Sequence, residues 1–119
     1  MPKTLETGKK GEEQAIAYLR GIGCTILHTN WRYKNLEIDI IALDGDFLAI
    51  IEVKTRKNAD FGEPETFVNR AKQKKIIRAT HEFIKQYEME QEVRFDIIAV
   101  NNQTGQIQHL KRAYYPDML

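Results

Sequence analysis

The dipeptide Asp44-Gly45 lies between two apolar stretches, and this arrangement constrains the fold more than any other feature of the 119-residue chain. Asp-Gly in such a position favours a two-residue β-hairpin loop, because both central residues of the matching turn take a positive φ. Residues 36–43 and 46–55 are therefore predicted to form two antiparallel strands.

The register of this hairpin brings charged residues together on one face of the sheet. With Asp44 and Gly45 as the loop, Asp39 would face Ile50 and Glu37 would face Glu52. Side chains alternate between the two faces of a strand with a period of two. The resulting face carries Glu37, Asp39, Ile41, Leu48, Ile50, Glu52 and Lys54. Asp39 and Glu52 become diagonal neighbours with Cα atoms roughly 7–8 Å apart, so their carboxylates can converge on one ion.

Hydrophobic periodicity predicts two helices. The first runs from about Gly8 to Leu19 or Arg20 and is ended by the glycines that follow. Glu12 lies on its apolar stripe, where the carboxylate either joins a metal site or caps the start of the helix. The second helix is predicted over 68–87. Its predicted inner face consists of Ile76, Thr80, Phe83, Ile84 and Tyr87.

Further apolar stretches predict three more strands, over 24–30, 93–100 and 106–112. The segment 56–66 is rich in polar residues, glycine and proline, which is typical of a loop. The element order α-β-β-β-α-β-β predicts an α/β fold with a mixed β-sheet flanked by helices. A length of 119 residues predicts one domain over the whole chain, residues 1–119.

Composition excludes several classes of protein. The chain contains no serine, which excludes Ser-His-Asp catalysis, and its only cysteine, Cys24, cannot form an internal disulfide. Residues 1–13 have no apolar core, and no apolar run approaches the roughly 20 residues that span a bilayer. We therefore expect a cytoplasmic protein without a membrane partner. The net charge of +1 means that any contact with nucleic acid needs a local basic patch.

The acidic face of the hairpin predicts a metal site. Acidic residues beside buried isoleucines would cost much free energy if they stayed unpaired, and a cation would remove that cost. Their donors are all oxygen atoms, which suit Mg²⁺ or Mn²⁺ and not zinc. Lys54 lies two residues beyond Glu52 on the same face, where its charge can stabilise the transition state of phosphodiester hydrolysis.

Asp39 followed by Glu52-x-Lys54 on the next strand resembles the PD-(D/E)xK nuclease signature. The whole chain also resembles the YraN-like family (UPF0102) of small bacterial proteins. The segments that carry this resemblance are Gly11-Glu-x-x-Ala15, Asn30-Trp-Arg32, Glu37-Ile-Asp39, Glu52-Val-Lys-Thr-Arg56, Lys72-Gln73 and Arg94-Phe-Asp96.

The resemblance implies a restriction-endonuclease-like fold, similar to that of archaeal Holliday junction resolvases. It implies an active site formed by Glu12, Asp39, Glu52 and Lys54, with Gln73 at its edge. From the residues alone, Gln73 is also compatible with an ordinary amide on a helix surface. The predicted metal ligands are Asp39, Glu52 and the backbone carbonyl of Val53. Similar resolvases are dimers, so the resemblance also implies a homodimer.

Basic residues near the predicted site are candidates for contacts with phosphates. A solvated helix face is the alternative interpretation of those on the second helix. Asn30–Tyr33 is predicted either to stack on unpaired bases or to close an edge of the core. Asp96 is predicted either to support the active site or to hold a hydrogen-bonded position at the sheet edge. The predicted nucleic-acid contacts are Lys9, Lys10, Arg32, Arg56, Arg70, Lys72, Lys74 and Lys75.

The sequence therefore predicts a Mg²⁺- or Mn²⁺-dependent endonuclease that hydrolyses phosphodiester bonds in DNA. The resemblance extends this expectation to branched or otherwise structured DNA. Two alternatives stay open. One is a non-catalytic nucleic-acid-binding module on the same fold, and the other is a protein-interaction subunit whose acids form structural ion pairs.

Overall fold

The computed structural model describes residues 2–56 and 69–115, with side chains from residue 9 onward. This part of the chain contains helices and strands in the predicted order α-β-β-β-α-β-β. The helices are α1 (Pro2–Gly21) and α2 (Arg70–Tyr87). The strands are β1 (Thr25–Tyr33), β2 (Leu36–Asp44), β3 (Phe47–Arg56), β4 (Glu92–Asn101) and β5 (Ile107–Tyr114).

The five strands form one mixed sheet in the order β1-β2-β3-β4-β5. β3 and β4 are parallel, and every other neighbouring pair is antiparallel. Parallel neighbours need a crossover connection, and α2 lies between β3 and β4 along the chain. The predicted α/β fold with a mixed sheet flanked by helices is thus confirmed.

Each face of the sheet packs against one helix. The core on the α2 side includes Ile41 and Ile50 from the hairpin together with Ile76 and Phe83 from α2. The core on the α1 side contains Ala15 and Leu19 of that helix. The sheet residues in this second core are Ile40, Ala42, Ala49, Ile51, Ile98 and Val100. Residues 94–101 are all buried, so β4 is covered on both faces.

The hairpin loop differs by one residue from the prediction. Asp44 pairs with Phe47, so the loop consists of Gly45 and Asp46. Gly45 takes φ +60° at the first loop position, and Asp46 has no positive φ. This pattern suits a hairpin turn that needs glycine at its first central position only. Asp44 is also held outside the loop by an ion pair with Arg94 at 2.8 Å, a contact between distant parts of the chain.

The corrected loop shifts the strand pairing by two residues, so that Ile41 faces Ile50 instead of Leu48. A one-residue slip would exchange the two faces of the sheet, whereas a shift of two residues preserves them. The set of side chains that β3 directs toward α2 is therefore unchanged by the error in the loop.

Several predicted boundaries were wrong by a few residues. α1 begins at Pro2 instead of near Gly8, and β1 continues to Tyr33. α2 begins at Arg70, because Asn69 caps it by accepting a hydrogen bond from the Lys72 amide at 2.9 Å. Positions 57–68 lie outside the described residues, and with them lie most of the predicted loop and the predicted start of α2.

The predicted inner face of α2 is confirmed except at its last member. Ile76, Thr80 and Phe83 are buried, whereas 42% of Tyr87 is exposed. Tyr87 still contacts the Phe83 ring, with 4.6 Å between the ring centroids. Its place in the last turn of the helix explains the exposure, since the ring covers the edge of the core.

Within the described parts of the chain, neither helix has the length and apolar character needed to cross a bilayer.

Candidate active site

The two carboxylates predicted to bind the metal, those of Asp39 and Glu52, lie where the pairing of β2 and β3 ends. The described backbone pairs run from Asp44–Phe47 to Ile40–Ile51. Continuing this register by one position brings Asp39 level with Glu52, instead of opposite Ile50 as predicted. There the Asp39 carboxylate accepts a hydrogen bond from the backbone N–H of Val53 at 2.8 Å. A side chain thus bonds a backbone group of the neighbouring strand, which holds the acid in place.

The alternation of faces is interrupted in β2 just before this point. Ile38 and Ile41 both belong to the core on the α2 side, whereas Ile40 belongs to the core on the α1 side. The strict period of two used in the prediction therefore fails across Asp39. Asp39 nevertheless shares a cleft with Glu52, which is the arrangement that the metal hypothesis needs.

Glu37 does not oppose Glu52, contrary to the prediction. It pairs with Arg32 of β1 in the sheet, and their side chains form an ion pair at 3.5 Å. The destabilising contact between Glu37 and Glu52 is absent because the register differs by two residues. The close pair of acids in this structure is Asp39 and Glu52, whose charges interact.

These acids line an open cleft of about 400 Å³ between the sheet and the beginning of α2. Its polar wall includes Asp39 and Glu52 on one side, with Lys72 and Lys75 on the other. Leu36 and Ile76 form part of its apolar floor. A concave site with a few convergent polar groups is the usual form of a ligand pocket.

Two lysines meet one carboxylate oxygen in this cleft. The ammonium of Lys72 lies 2.7 Å from Oε2 of Glu52, and that of Lys54 lies 3.5 Å from the same atom. Glu52 is buried, with 7% of its surface exposed. Lys72 was predicted only as a contact to nucleic acid, so its ion pair with Glu52 was missed. Its position one helical turn before Ile76, a predicted inner-face residue, is the signal that could have revealed it.

The electrostatics of the cleft are uneven. Burial, followed by the charges of Glu52 and Glu12, raises the pKa of Asp39 to about 7, against the hydrogen bond from Val53. Burial and the neighbouring Lys72 ammonium lower the pKa of Lys54. The lysines therefore compensate Glu52 better than Asp39, and the site keeps a carboxylate that would gain from a further cation.

Glu12 lies in the interior of α1, because the helix begins at Pro2. The interpretation of Glu12 as a cap of the helix start was therefore wrong. α1 approaches β3 closely at Gly11, where a Cβ atom would collide with Oγ1 of Thr55. The Glu12 carboxylate accepts a hydrogen bond from Nδ2 of Asn30 at 2.7 Å, and its charge contributes to the raised pKa of Asp39.

The donor set suits a magnesium ion that retains water. In residues 2–56 and 69–115, no group of three or more Asp, Glu, His or Cys side chains is arranged to hold a metal. Mg²⁺, however, is often bound by one or two carboxylates together with water and substrate phosphates. Asp39 and Glu52 supply two such carboxylates, and burial together with the charge of Glu52 raises the pKa of Asp39, so a cation beside it would be favourable. The Val53 carbonyl stays a predicted ligand.

Most of the other predicted site residues do not line this cleft. Gln73 is half-buried on α2, donates its backbone N–H to the carbonyl of Asn69 and does not line the cleft. Trp31 is buried against Phe83, with ring centroids 5.3 Å apart, which confirms the core interpretation of this aromatic residue. Predicted phosphate contacts with exposed side chains are Lys9, Lys10, Arg32, Arg70, Lys74 and Lys75, and Arg56 is half-buried.

A second charged cluster lies on the opposite face of the sheet. Asp96 is fully buried and accepts hydrogen bonds from Arg94, from Nε2 of His109 and from the backbone N–H of Arg112. Nδ1 of His109 lies 2.9 Å from the hydroxyl of Tyr18 in α1. Asp96 therefore ties the edge strand β5 to β4 and does not support Glu52, which pairs with Ile97.

Fold and site together define an α/β protein with a mixed five-stranded sheet and a cleft of paired acids and lysines on one of its faces. The chain belongs to the uncharacterised protein family UPF0102, whose family model matches residues 11–100. This confirms the family indicated by the sequence motifs.

The chain is similar over most of its length to UPF0102 proteins of several bacteria. It is 44% identical over 115 residues to one from Bacteroides thetaiotaomicron, covering 95% of each chain. It is 45% identical over 111 residues to one from Thermodesulfovibrio yellowstonii, covering 93% of this chain and 97% of the relative. A relative from Flavobacterium psychrophilum is 41% identical over 112 residues, covering 92% and 94%.

Proposed function

We propose that this protein is a metal-dependent nuclease that hydrolyses phosphodiester bonds in DNA. The observation that carries the proposal is the convergence of Asp39 and Glu52 at one cleft, with the Lys54 ammonium 3.5 Å from Glu52. The restriction-endonuclease-like arrangement implied by the motifs is compatible with the mixed sheet, which carries these residues on adjacent strands.

The acids would hold the metal ion. Asp39 and Glu52 are the proposed ligands for Mg²⁺ or Mn²⁺, and the Val53 carbonyl is the proposed third ligand. Once bound, the ion would lower the pKa of a coordinated water and neutralise charge on the phosphate. The hydrogen bond from Val53 to Asp39 keeps this carboxylate oriented, at 2.8 Å, before any ion arrives.

Lys54 is the proposed stabiliser of the transition state. Its side chain is 25% exposed and its ammonium lies 3.5 Å from Glu52, which lines the cleft. A positive charge at this position opposes the negative charge that develops on the phosphate. Glu12 is proposed to assist in positioning the metal or the attacking water, and Gln73 stays a proposed residue of the site edge.

The proposed substrate is DNA with branched or otherwise structured geometry, as the resemblance to resolvases implies. The proposed phosphate contacts are the exposed basic residues predicted from the sequence, of which Lys75 lines the cleft itself. Binding through such contacts falls steeply with salt concentration, because each contact releases counterions. A homodimer, which would suit two symmetric cuts, is part of the same proposal.

Cleavage assays test this function directly. Purified protein is incubated with junction, flap, single-stranded and duplex DNA in the presence of Mg²⁺, Mn²⁺ or a chelator. We expect metal-dependent cleavage that Asp39→Ala and Glu52→Gln each reduce by about 100-fold or more. Glu37→Gln is the matched control, since Glu37 lines the same cleft but pairs with Arg32. Wild-type activity in Asp39→Ala would refute the assignment.

A second candidate function is non-catalytic, and one observation favours it. Lys72 already neutralises Glu52 at 2.7 Å, as a structural ion pair would. A non-catalytic nucleic-acid-binding module predicts DNA binding that a chelator leaves unchanged and no cleavage of any substrate. A protein-interaction subunit predicts neither binding nor cleavage. Thermal melting of wild type and Glu52→Gln separates the metal-dependent function from both, because only that function predicts stabilisation of the wild type by Mn²⁺.

A further inference from the structure

We propose that Lys72 is an internal cation that occupies Glu52 in the metal-free protein and leaves it when a divalent ion binds. This inference rests on the proposed function, since it concerns the same carboxylate. It assigns to Lys72 a role in controlling metal affinity, in addition to the contact with nucleic acid predicted for it.

The geometry of the two lysines shows which of them is the competitor. Lys72 holds Oε2 of Glu52 at 2.7 Å, a distance typical of a charge-assisted hydrogen bond, whereas Lys54 lies at 3.5 Å. A metal ion would need the same carboxylate, because Glu52 has 8% of its side chain exposed and lines the cleft together with Lys72. The Lys72 ammonium therefore lies where a ligand bond of the ion would form.

The same two lysines differ in how easily they can move. Lys54 projects from β3 and its side chain is 25% exposed, whereas the Lys72 side chain is 41% exposed and comes from α2 across the cleft. A long, partly solvated side chain on a helix can rotate away without any change in the backbone. Lys72 is thus the cation that can withdraw, and Lys54 is the one that stays.

Charge balance gives the reason for the exchange. With neither Lys72 nor a divalent ion in place, Glu52 and Asp39 would have only Lys54 as a nearby cation among the described contacts, and a buried acid without a partner is costly. With a divalent ion present, Lys54, Lys72 and the ion would crowd one carboxylate. Withdrawal of Lys72 relieves this repulsion and leaves its ammonium at the wall of the same cleft, where a substrate phosphate would lie.

Mn²⁺ binding to purified protein tests the inference without any measurement of activity. Lys72→Met removes the ammonium and keeps the apolar stem, and its dissociation constant is measured by calorimetry or by the electron paramagnetic resonance of free Mn²⁺. We expect Lys72→Met to bind Mn²⁺ about 10-fold more tightly than wild type. Lys75→Met is the matched control, because Lys75 lines the same cleft without an ion pair to Glu52 among the described contacts. It should change the affinity less than about 3-fold.

Melting temperatures give a second readout. In a chelator, Lys72→Met should melt below Lys75→Met, because Glu52 has lost its closest partner. Saturating Mn²⁺ should close this gap, since the ion replaces the ammonium. Lys72→Arg retains a cation at this position and should bind Mn²⁺ within about 3-fold of the wild-type affinity.

Two results overturn the inference in distinguishable ways. If wild type binds Mn²⁺ and Lys72→Met binds it no more tightly than Lys75→Met, Lys72 does not compete, and the proposed metal function is unaffected. If wild type and all three variants bind no Mn²⁺, the inference falls together with the metal function. Binding by Lys72→Met alone would support the inference in its strongest form.

Discussion

Two carboxylates, Asp39 and Asp96, lie on opposite faces of the same sheet in contrasting surroundings. Asp96 receives hydrogen bonds from Arg94, His109 and a backbone N–H, and the bonds from His109 and Arg94 lower its pKa even though burial acts in the opposite direction. The described hydrogen bond of Asp39 comes from the Val53 backbone, and burial raises its pKa to about 7. One acid is satisfied by hydrogen-bond donors and cations, whereas the other is buried near the charges of Glu52 and Glu12.

This difference separates a structural site from a candidate functional site. Asp96 lies outside the cleft and its partners come from β4 and β5, while Arg94 also pairs with Asp44 of the hairpin, so these ion pairs hold the sheet together. Asp39 lies in an open cleft beside Glu52. A perturbed pKa in a cleft is a recognised mark of a functional site, whereas a saturated buried network is typical of a structural role.

The largest effect is expected from Asp96→Ala. The substitution leaves the buried guanidinium of Arg94 with Asp44 as its remaining described ion-pair partner. Breaking a buried pair on one side costs about 3–5 kcal/mol, so the free energy of unfolding should fall by that amount. Urea denaturation at neutral pH measures it. A loss below about 1 kcal/mol would contradict the structural role of Asp96, and His109→Gln offers a milder test if the alanine variant does not fold.

Asp39→Asn should raise the free energy of unfolding at high pH, whereas Asp96→Ala should lower it. The ordinary pKa of this carboxyl is 3.8, and in the folded protein it is about 7. A raised pKa means that its contribution to stability is complete below pH 4 and is lost as the pH rises through 7. Asparagine imitates the protonated acid, so in a chelator at pH 8 the variant should be more stable by roughly 1–3 kcal/mol.

Denaturation of wild type and Asp39→Asn across the pH range checks this prediction. The gain should shrink between pH 7 and pH 4 and vanish below pH 4. Asp96 gives the contrast, because a lowered pKa contributes stability above the ordinary pKa that is lost as the pH falls through the folded value. If the gain in the free energy of unfolding of Asp39→Asn did not depend on pH, the pKa of Asp39 would not be raised, and its contrast with Asp96 would be wrong.

Gly11→Ala tests how α1 brings Glu12 to Asp39. The added Cβ would collide with Oγ1 of Thr55, and overpacking of this kind costs about 1–3 kcal/mol. In a Thr55→Ala background the collision disappears, and the same substitution should be neutral or stabilising by up to about 1 kcal/mol, since alanine favours helices. Thermal unfolding measures both effects. Equal effects of Gly11→Ala in the two backgrounds would show that the contact between Gly11 and Thr55 does not restrict the residue at position 11.

Tyr18→Phe is expected to have the smallest effect. It removes the hydroxyl that lies 2.9 Å from Nδ1 of His109 and keeps the ring that packs edge-on against the imidazole. A single hydrogen bond of this kind contributes about 0.5–1.5 kcal/mol. Chemical denaturation should show a loss in that range, while Mn²⁺ binding at the other face should not change. A changed Mn²⁺ affinity would mean that the two clusters are coupled through the sheet.

The hairpin shows how far local rules reach. The dipeptide at positions 44 and 45 predicted the two strands, although the loop itself contains Gly45 and Asp46. The error of two residues in pairing changed the partner of Glu37 but left Glu52 and Lys54 on the predicted face. A shift of two residues leaves each side chain on the same face of the sheet. The sequence was therefore sufficient to predict the face that carries Glu52 and Lys54 of β3.

Other parts of the site depended on contacts that no local rule describes. Glu12 had two open interpretations until the start of α1 at Pro2 excluded the capping role. Lys72 was recognised as a basic residue but not as a partner of Glu52, because the two lie 20 positions apart. The network of Asp96 joins β4, β5, α1 and the hairpin, and its assembly follows from sheet order.

By itself, the sequence determined the element types and their order, the mixed α/β character and the acids and lysine on adjacent strands. These features follow from turn chemistry and hydrophobic periodicity, which act over a few residues. Only the tertiary structure decided the partners of each charge and hence the contrasting pKa values of Asp39 and Asp96. The physical reason is that burial and Coulomb interactions depend on distances between side chains from distant parts of the chain.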